Sequence, residues 1–184
     1  MNACHTHTFR WEIACHTQTF RSEKGILVII GSWVMALGCL AQSFSLDRQT
    51  DSLYILTLTT DSTCNHWRLP YPVYRMDTGD VDGNGTTEAL VGVIKPTRFY
   101  PEMGRRLFIF KNYEGLIRPM WLGSRLGGTL QDFLFRNGCV RSLETNAKGE
   151  YTVAEYRWSG FGLTFERYLV KNVDEAKARE TFEN

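Results

Sequence analysis

The feature that most constrains this chain is a succession of short stretches in which apolar and polar side chains alternate. Leu53–Thr59, Glu88–Lys95, Arg106–Lys111 and Leu116–Leu122 read this way, as do Thr129–Phe135, Cys139–Thr145, Tyr151–Trp158 and Leu163–Val170. Alternation sends successive side chains to opposite faces of a strand, so each stretch predicts a strand. In the stretch from Tyr151 to Trp158, Tyr151 and Val153 fall on one face, and Ala154, Tyr156 and Trp158 on the other. Both faces carry apolar bulk, as sheets stacked on one another require. The expectation is an all-β domain of antiparallel sheets with about eight or nine strands, propeller-blade-like or sandwich-like. Asn112-Tyr113-Glu114-Gly115 and Asn146-Ala147-Lys148-Gly149 are expected to be hairpin turns with a bulge and a left-handed Gly. After residue 41, only the end of the chain reads as helical. From Val173 to Phe182, Glu175 and Arg179 stand at i,i+4 and Asp174 can cap the start. So short a helix is expected to pack on a sheet edge or fray.

The first forty residues have a different character. Gly25 to Ala41 carry no charge and are nearly all apolar, with Arg21 and Lys24 before them and small residues at their end. A basic flank, an apolar middle and a small-residue exit predict a hydrophobic helix that serves as a signal peptide or signal anchor. Seventeen residues at a rise of about 1.5 Å are at the short limit for a bilayer. The rest of the chain is then exported: periplasmic, at the outer surface, or anchored to the membrane. Cys39 is a weak candidate for lipid attachment. Ala36-Leu37-Gly38 before it resembles a bacterial lipobox, but with the large and small residues inverted. Residues 1–24 contain the near-repeat ACHTHTFR and ACHTQTFR, read as a disordered extension, a mis-assigned start or a Cys/His metal site without finger spacing. The domain layout is thus an extension at 1–24, a signal segment at 25–41, a β-domain at 42–172 and a short helix or tail at 173–184.

Charge narrows the partners. The formal net charge is +1, and residues 1–41 hold three basic and two acidic residues, so the remainder is neutral. A nucleic-acid binder would carry a basic excess, and none is expected here.

The stretch Asp80-Val81-Asp82-Gly83-Asn84-Gly85-Thr86-Thr87-Glu88 holds the most chemistry. Side-chain oxygens stand at positions 1, 3, 5 and 9, and Thr86 at position 7 offers its carbonyl. Alternate positions in a tight loop turn oxygens inward, which suits Ca²⁺ with its six to eight oxygen ligands. An EF-hand would need a carboxylate at position 12, where Val91 stands, and flanking helices instead of the strand that follows. The loop running into Ala89-Leu90-Val91-Gly92-Val93 resembles the calcium loop of FG-GAP/VCBS repeats, the units of integrin-α-type β-propellers. That resemblance is specific over about fifteen residues and implies Asp80, Asp82, Asn84, Thr86 and Glu88 as ligands of one Ca²⁺. A closed propeller needs four or more blades and is not expected from this one chain.

Weaker constellations remain. Cys64 and Cys139 are a candidate disulfide, or two separate thiols. Cys64 and His66, two apart on one strand face, lack an identifiable orienting group for thiol catalysis. Arg98, Phe99, Tyr100 and Arg105, in the loop after the calcium strand, form a candidate binding surface. The functional expectation is a binding or structural module of the cell envelope, which binds and does not transform. Its partner would be an envelope protein or a glycan, with attachment to the membrane through the N-terminal segment or a lipid, and homo-oligomers are open. The alternative is a carbohydrate-active enzyme, or an accessory subunit, using acidic residues.

Overall fold

The computed structural model describes residues 42–98, 100–123 and 126–184, which form eleven strands and one helix. The predicted N-terminal helix, the near-repeat and Cys39 lie outside these residues. Three antiparallel sheets follow one another along the chain, each an up-and-down meander. The first holds β1 (Ser43–Thr50), β2 (Leu53–Thr59) and β3 (Cys64–Leu69). The second holds β4 (Val73–Gly79), β5 (Glu88–Ile94), β6 (Arg105–Tyr113) and β7 (Leu116–Leu122). The third holds β8 (Thr129–Arg136), β9 (Cys139–Thr145), β10 (Tyr151–Ser159) and β11 (Gly162–Val173). Among the described residues, no helix is long and apolar enough to cross a membrane.

All eight predicted strands are present, and β1, β3 and β4 are additional to them. All three are edge strands. In β1 only Phe44 and Leu46 pack inward, and β4 spends Arg75 and Asp77 on contacts with another sheet.

The second sheet is the centre of the stack, and the period-two pattern divides its side chains between two cores. Ala89, Val91, Val93, Phe108 and Phe110 face the first sheet, where Leu56, Leu58 and Leu69 meet them. Leu90, Leu107, Ile109 and Trp121 face the third sheet and pack on Leu130, Phe133, Val140, Ala154 and Tyr156. Gly92 interrupts this second face for a steric reason. A Cβ there would lie 2.6 Å from the Tyr74 ring and 2.8 Å from that of Phe133, so the two sheets close only over a bare backbone.

Side chains also stitch the second sheet to the third. β8 is an edge strand whose outward backbone groups lack a strand partner. Arg75 donates to the Phe133 carbonyl (2.6 Å), Asp77 accepts from the Phe135 amide (2.7 Å), and Arg105 donates to the Gln131 carbonyl. Residues 131, 133 and 135 are therefore satisfied in period two by side chains in place of a neighbouring strand.

The helix α1 (Glu175–Glu183) begins at the expected cap, with Asp174 accepting from the Lys177 amide at 2.9 Å. It lies on the outer face of the third sheet and not on a sheet edge: Ala178 and Phe182 are buried against Leu143 and Val153. Arg141 donates to the carbonyls of Thr181 and Phe182 at 3.3 and 3.1 Å, placing a cation on the negative end of the helix. Its guanidinium also binds Glu155, which a second arginine, Arg167, engages from β11. Burial alone would raise the Glu155 carboxyl, yet Arg167 and Arg141 hold it below its ordinary value.

One predicted turn differs in type. Glu114 and Gly115 both take positive φ (52° and 80°), so β6 and β7 meet in a two-residue hairpin, without a bulge at the turn. The turn at Asn146–Gly149 keeps its left-handed Gly149 (φ 78°).

Candidate metal centre

The loop from Asp80 to Thr87 joins β4 to β5, closed by the pairing of Gly79 with Glu88. Its short polar side chains fold it against its own amides. Asp80 accepts from the Gly85 amide at 2.9 Å, Asp82 from the Asn84 amide at 3.2 Å, and Asn84 from the Thr86 amide at 2.7 Å. Gly83 and Gly85 take φ of 74° and 84°, with open space where a Cβ would stand. Backbone conformation, not crowding, selects glycine there.

These turns bring one carboxylate oxygen each of Asp80, Asp82 and Glu88 within 4.8 Å of one another. Like charges held this close repel one another. Glu88 is fully buried, and its Oε2 accepts from the Val81 amide at 2.8 Å while Oε1 accepts from the Thr86 hydroxyl at 3.2 Å. Burial pushes the Glu88 carboxyl above its ordinary value; the Val81 hydrogen bond pulls it down and the neighbouring Asp82 carboxylate adds to the rise. Asp80 Oδ1 is buried with no hydrogen-bond partner. A buried acceptor left bare beside two further carboxylates is a costly arrangement that a cation would relieve. The donor set is all oxygen, which selects a hard divalent ion over a soft one.

Of the five expected ligands, the structure gathers the three acids. Asn84 Oδ1 accepts from both the amide and the hydroxyl of Thr86, at 2.7 and 2.5 Å, which folds the loop beside these acids. Sequence reasoning missed Gln42. It donates to the Thr87 carbonyl at 2.7 Å and accepts from Asn112 at 2.7 Å, tying the loop to the residue that follows the apolar segment. No local pattern signals a contact across 45 residues.

The other candidate sites resolve differently. Cys64 is exposed on β3 and Cys139 is buried on β9, and they are not joined to each other. They belong to the first and third sheets, and two sheet spacings of about 10 Å separate these layers, beyond the reach of a disulfide. His66 lies 3.9 Å from the Cys64 sulfur, and its other ring nitrogen meets the Thr57 hydroxyl at 3.0 Å; a hydroxyl, not a carboxylate, positions the ring. Within the candidate surface loop, Arg98 is exposed, and Phe99 lies outside the described residues. Tyr100 is half-buried under the Arg106 guanidinium, 4.5 Å from the ring centroid. Arg105 is exposed; it stands over the Tyr74 ring and donates to the Gln131 carbonyl of the third sheet.

A second buried acid was also missed. Glu144 on β9 is 3% exposed and accepts from the Ser142 and Tyr156 hydroxyls at 2.6 and 2.8 Å and from the Gly128 amide. Its strand also carries Arg141 and Ser142, so no local contrast marks it in the sequence. Comparison of the chain with family models, curated proteins and solved structures finds no match.

Proposed function

We propose that this chain is an exported calcium-binding β-domain that acts as a binding or structural module at the cell envelope. The observation that carries the metal is the buried, unpartnered Asp80 Oδ1 beside the carboxylates of Asp82 and Glu88. Calcium, in place of another hard cation, follows from the spacing of the loop and its likeness to the FG-GAP/VCBS pattern, which keeps the loop-then-strand order. Export rests on the apolar segment Gly25–Ala41 with its basic flank. Outside the cytosol, calcium is abundant enough for a site of modest affinity, on the order of 10⁻⁴ to 10⁻³ M.

Calorimetric titration with Ca²⁺, paired with thermal melts, tests the reading. At calcium one hundred times Kd the protein gains about 2.7 kcal/mol, which raises Tm by roughly 5–10 °C at this chain length. Asp82→Ala abolishes both the heat and the shift. A wild-type melt that is the same in calcium and in EGTA overturns the metal. Intact-mass spectrometry of the protein recovered from the envelope tests export independently: it should show loss of the signal segment or an acyl group on Cys39, and purely cytosolic recovery of the full chain refutes it.

A further inference from the structure

The edge strand β11 is longer than its partner β10, twelve residues against nine. Three register shifts absorb the difference, so Phe165 lies opposite Tyr156, Tyr168 opposite Ala154 and Lys171 opposite Thr152. Regular alternation would split Phe165 and Tyr168 between two faces; the bulges put residues three apart on one. The face they share is that of Ala154 and Tyr156, turned toward the second sheet, yet Phe165 and Tyr168 remain 46% and 48% exposed. Their rings stand 4.6 Å apart.

Beside Tyr168 opens a cleft of about 220 Å³, whose walls include Glu144, Thr152 and Lys171 together with the segments at 127–128 and 145–146. Three donors converge on the Glu144 carboxylate, which offers about four acceptor positions, so capacity for one more donor remains. The Lys171 ammonium sits 4.7 Å from the Tyr168 ring centroid, the position an incoming cation would need. Lysine thus disfavours a cationic ligand and the buried acid disfavours an anionic one. A neutral molecule with adjacent hydroxyls satisfies both, donating a hydrogen bond to Glu144 and accepting one from Lys171. If it also has a C–H face, the aromatic rings cover it.

We infer that this cleft and the Phe165–Tyr168 face form a binding site for a neutral carbohydrate. The inference stands apart from the metal reading. The calcium loop lies at the opposite end of the third sheet, where Gly79 abuts Phe135, and the cleft lies beside Thr145. A single carboxylate with its oxygens already engaged positions a hydroxyl; it is not the pair that glycoside cleavage uses.

The test is titration of the full chain with soluble β-glucan, xylan, mannan and chitooligosaccharides, followed by calorimetry and by retardation in gels containing each polymer. Saturable binding of at least one, unchanged by EGTA, is expected. Tyr168→Ala, at an exposed position, should weaken it about tenfold with Tm unchanged. Lys171→Ala should weaken it as well. Three results overturn the inference. One is no binding by any of the four probes, and another is full affinity retained in Tyr168→Ala. The third is a dimer in light scattering that Tyr168→Ala dissolves, which would assign the face to a second copy of the chain.

Discussion

The Glu88 carboxyl is fully buried beside two aspartates, and burial is the first reason its proton is held more tightly than usual. An acid raised in the folded state favours the fold while protonated. That contribution is complete below the unfolded value and disappears as the pH rises through the folded one. Without metal, therefore, Glu88 opposes folding near neutral pH, and a bound cation reverses the sign. Two outcomes follow. Glu88→Gln should raise Tm in EGTA at neutral pH and remove the response to calcium. In the wild type, the gain in Tm from calcium over metal-free protein should shrink as the pH is lowered from neutral. Melting curves from neutral pH downward check both. The carboxylate positions of this site were legible in the sequence, because a loop of nine residues is local geometry. The hydrogen bonding within it was not. Asn84 and Thr86 turn to each other, and that depends on which of several oxygens the folded amides reach first.

At the scale of elements, the weakly patterned β4 and the short α1 are held by contacts distant in sequence. Asp77 stands in for a strand partner of Phe135, so Asp77→Ala leaves a partly buried amide without its acceptor. A loss of about 1–3 kcal/mol is expected in urea melts. Phe182→Ala empties a buried position between the helix and the third sheet. It should cost about 3–5 kcal/mol and raise hydrogen exchange throughout α1. If the helix stays protected in that variant, burial of Phe182 is not what docks it. The cap at Asp174 and the pair at Glu175 and Arg179 could be read from the sequence. The choice of a sheet face over a sheet edge could not, because the partners Leu143, Val153 and Arg141 come from two other strands.

For the whole molecule, the close approach of the second and third sheets is set by a residue with no side chain. Gly92→Ala places a methyl group inside contact distance of Tyr74 and Phe133, neither of which ends in a flexible chain. The variant should lose about 1–3 kcal/mol, and the loss should appear as increased exchange in β5 and β8 together. A neutral substitution would show that the sheets can separate at no cost.

Eight of the eleven strands, the antiparallel class and the acidic loop follow from the sequence alone, because alternation and turn chemistry act over a few residues. Which sheet lies in the middle, which cysteines are kept apart, and which three residues of β11 share a face belong to the folded chain. Bulges shift the alternation by one residue at a time, and stacking joins side chains scores of positions apart, so neither leaves a local trace for a reader of the sequence.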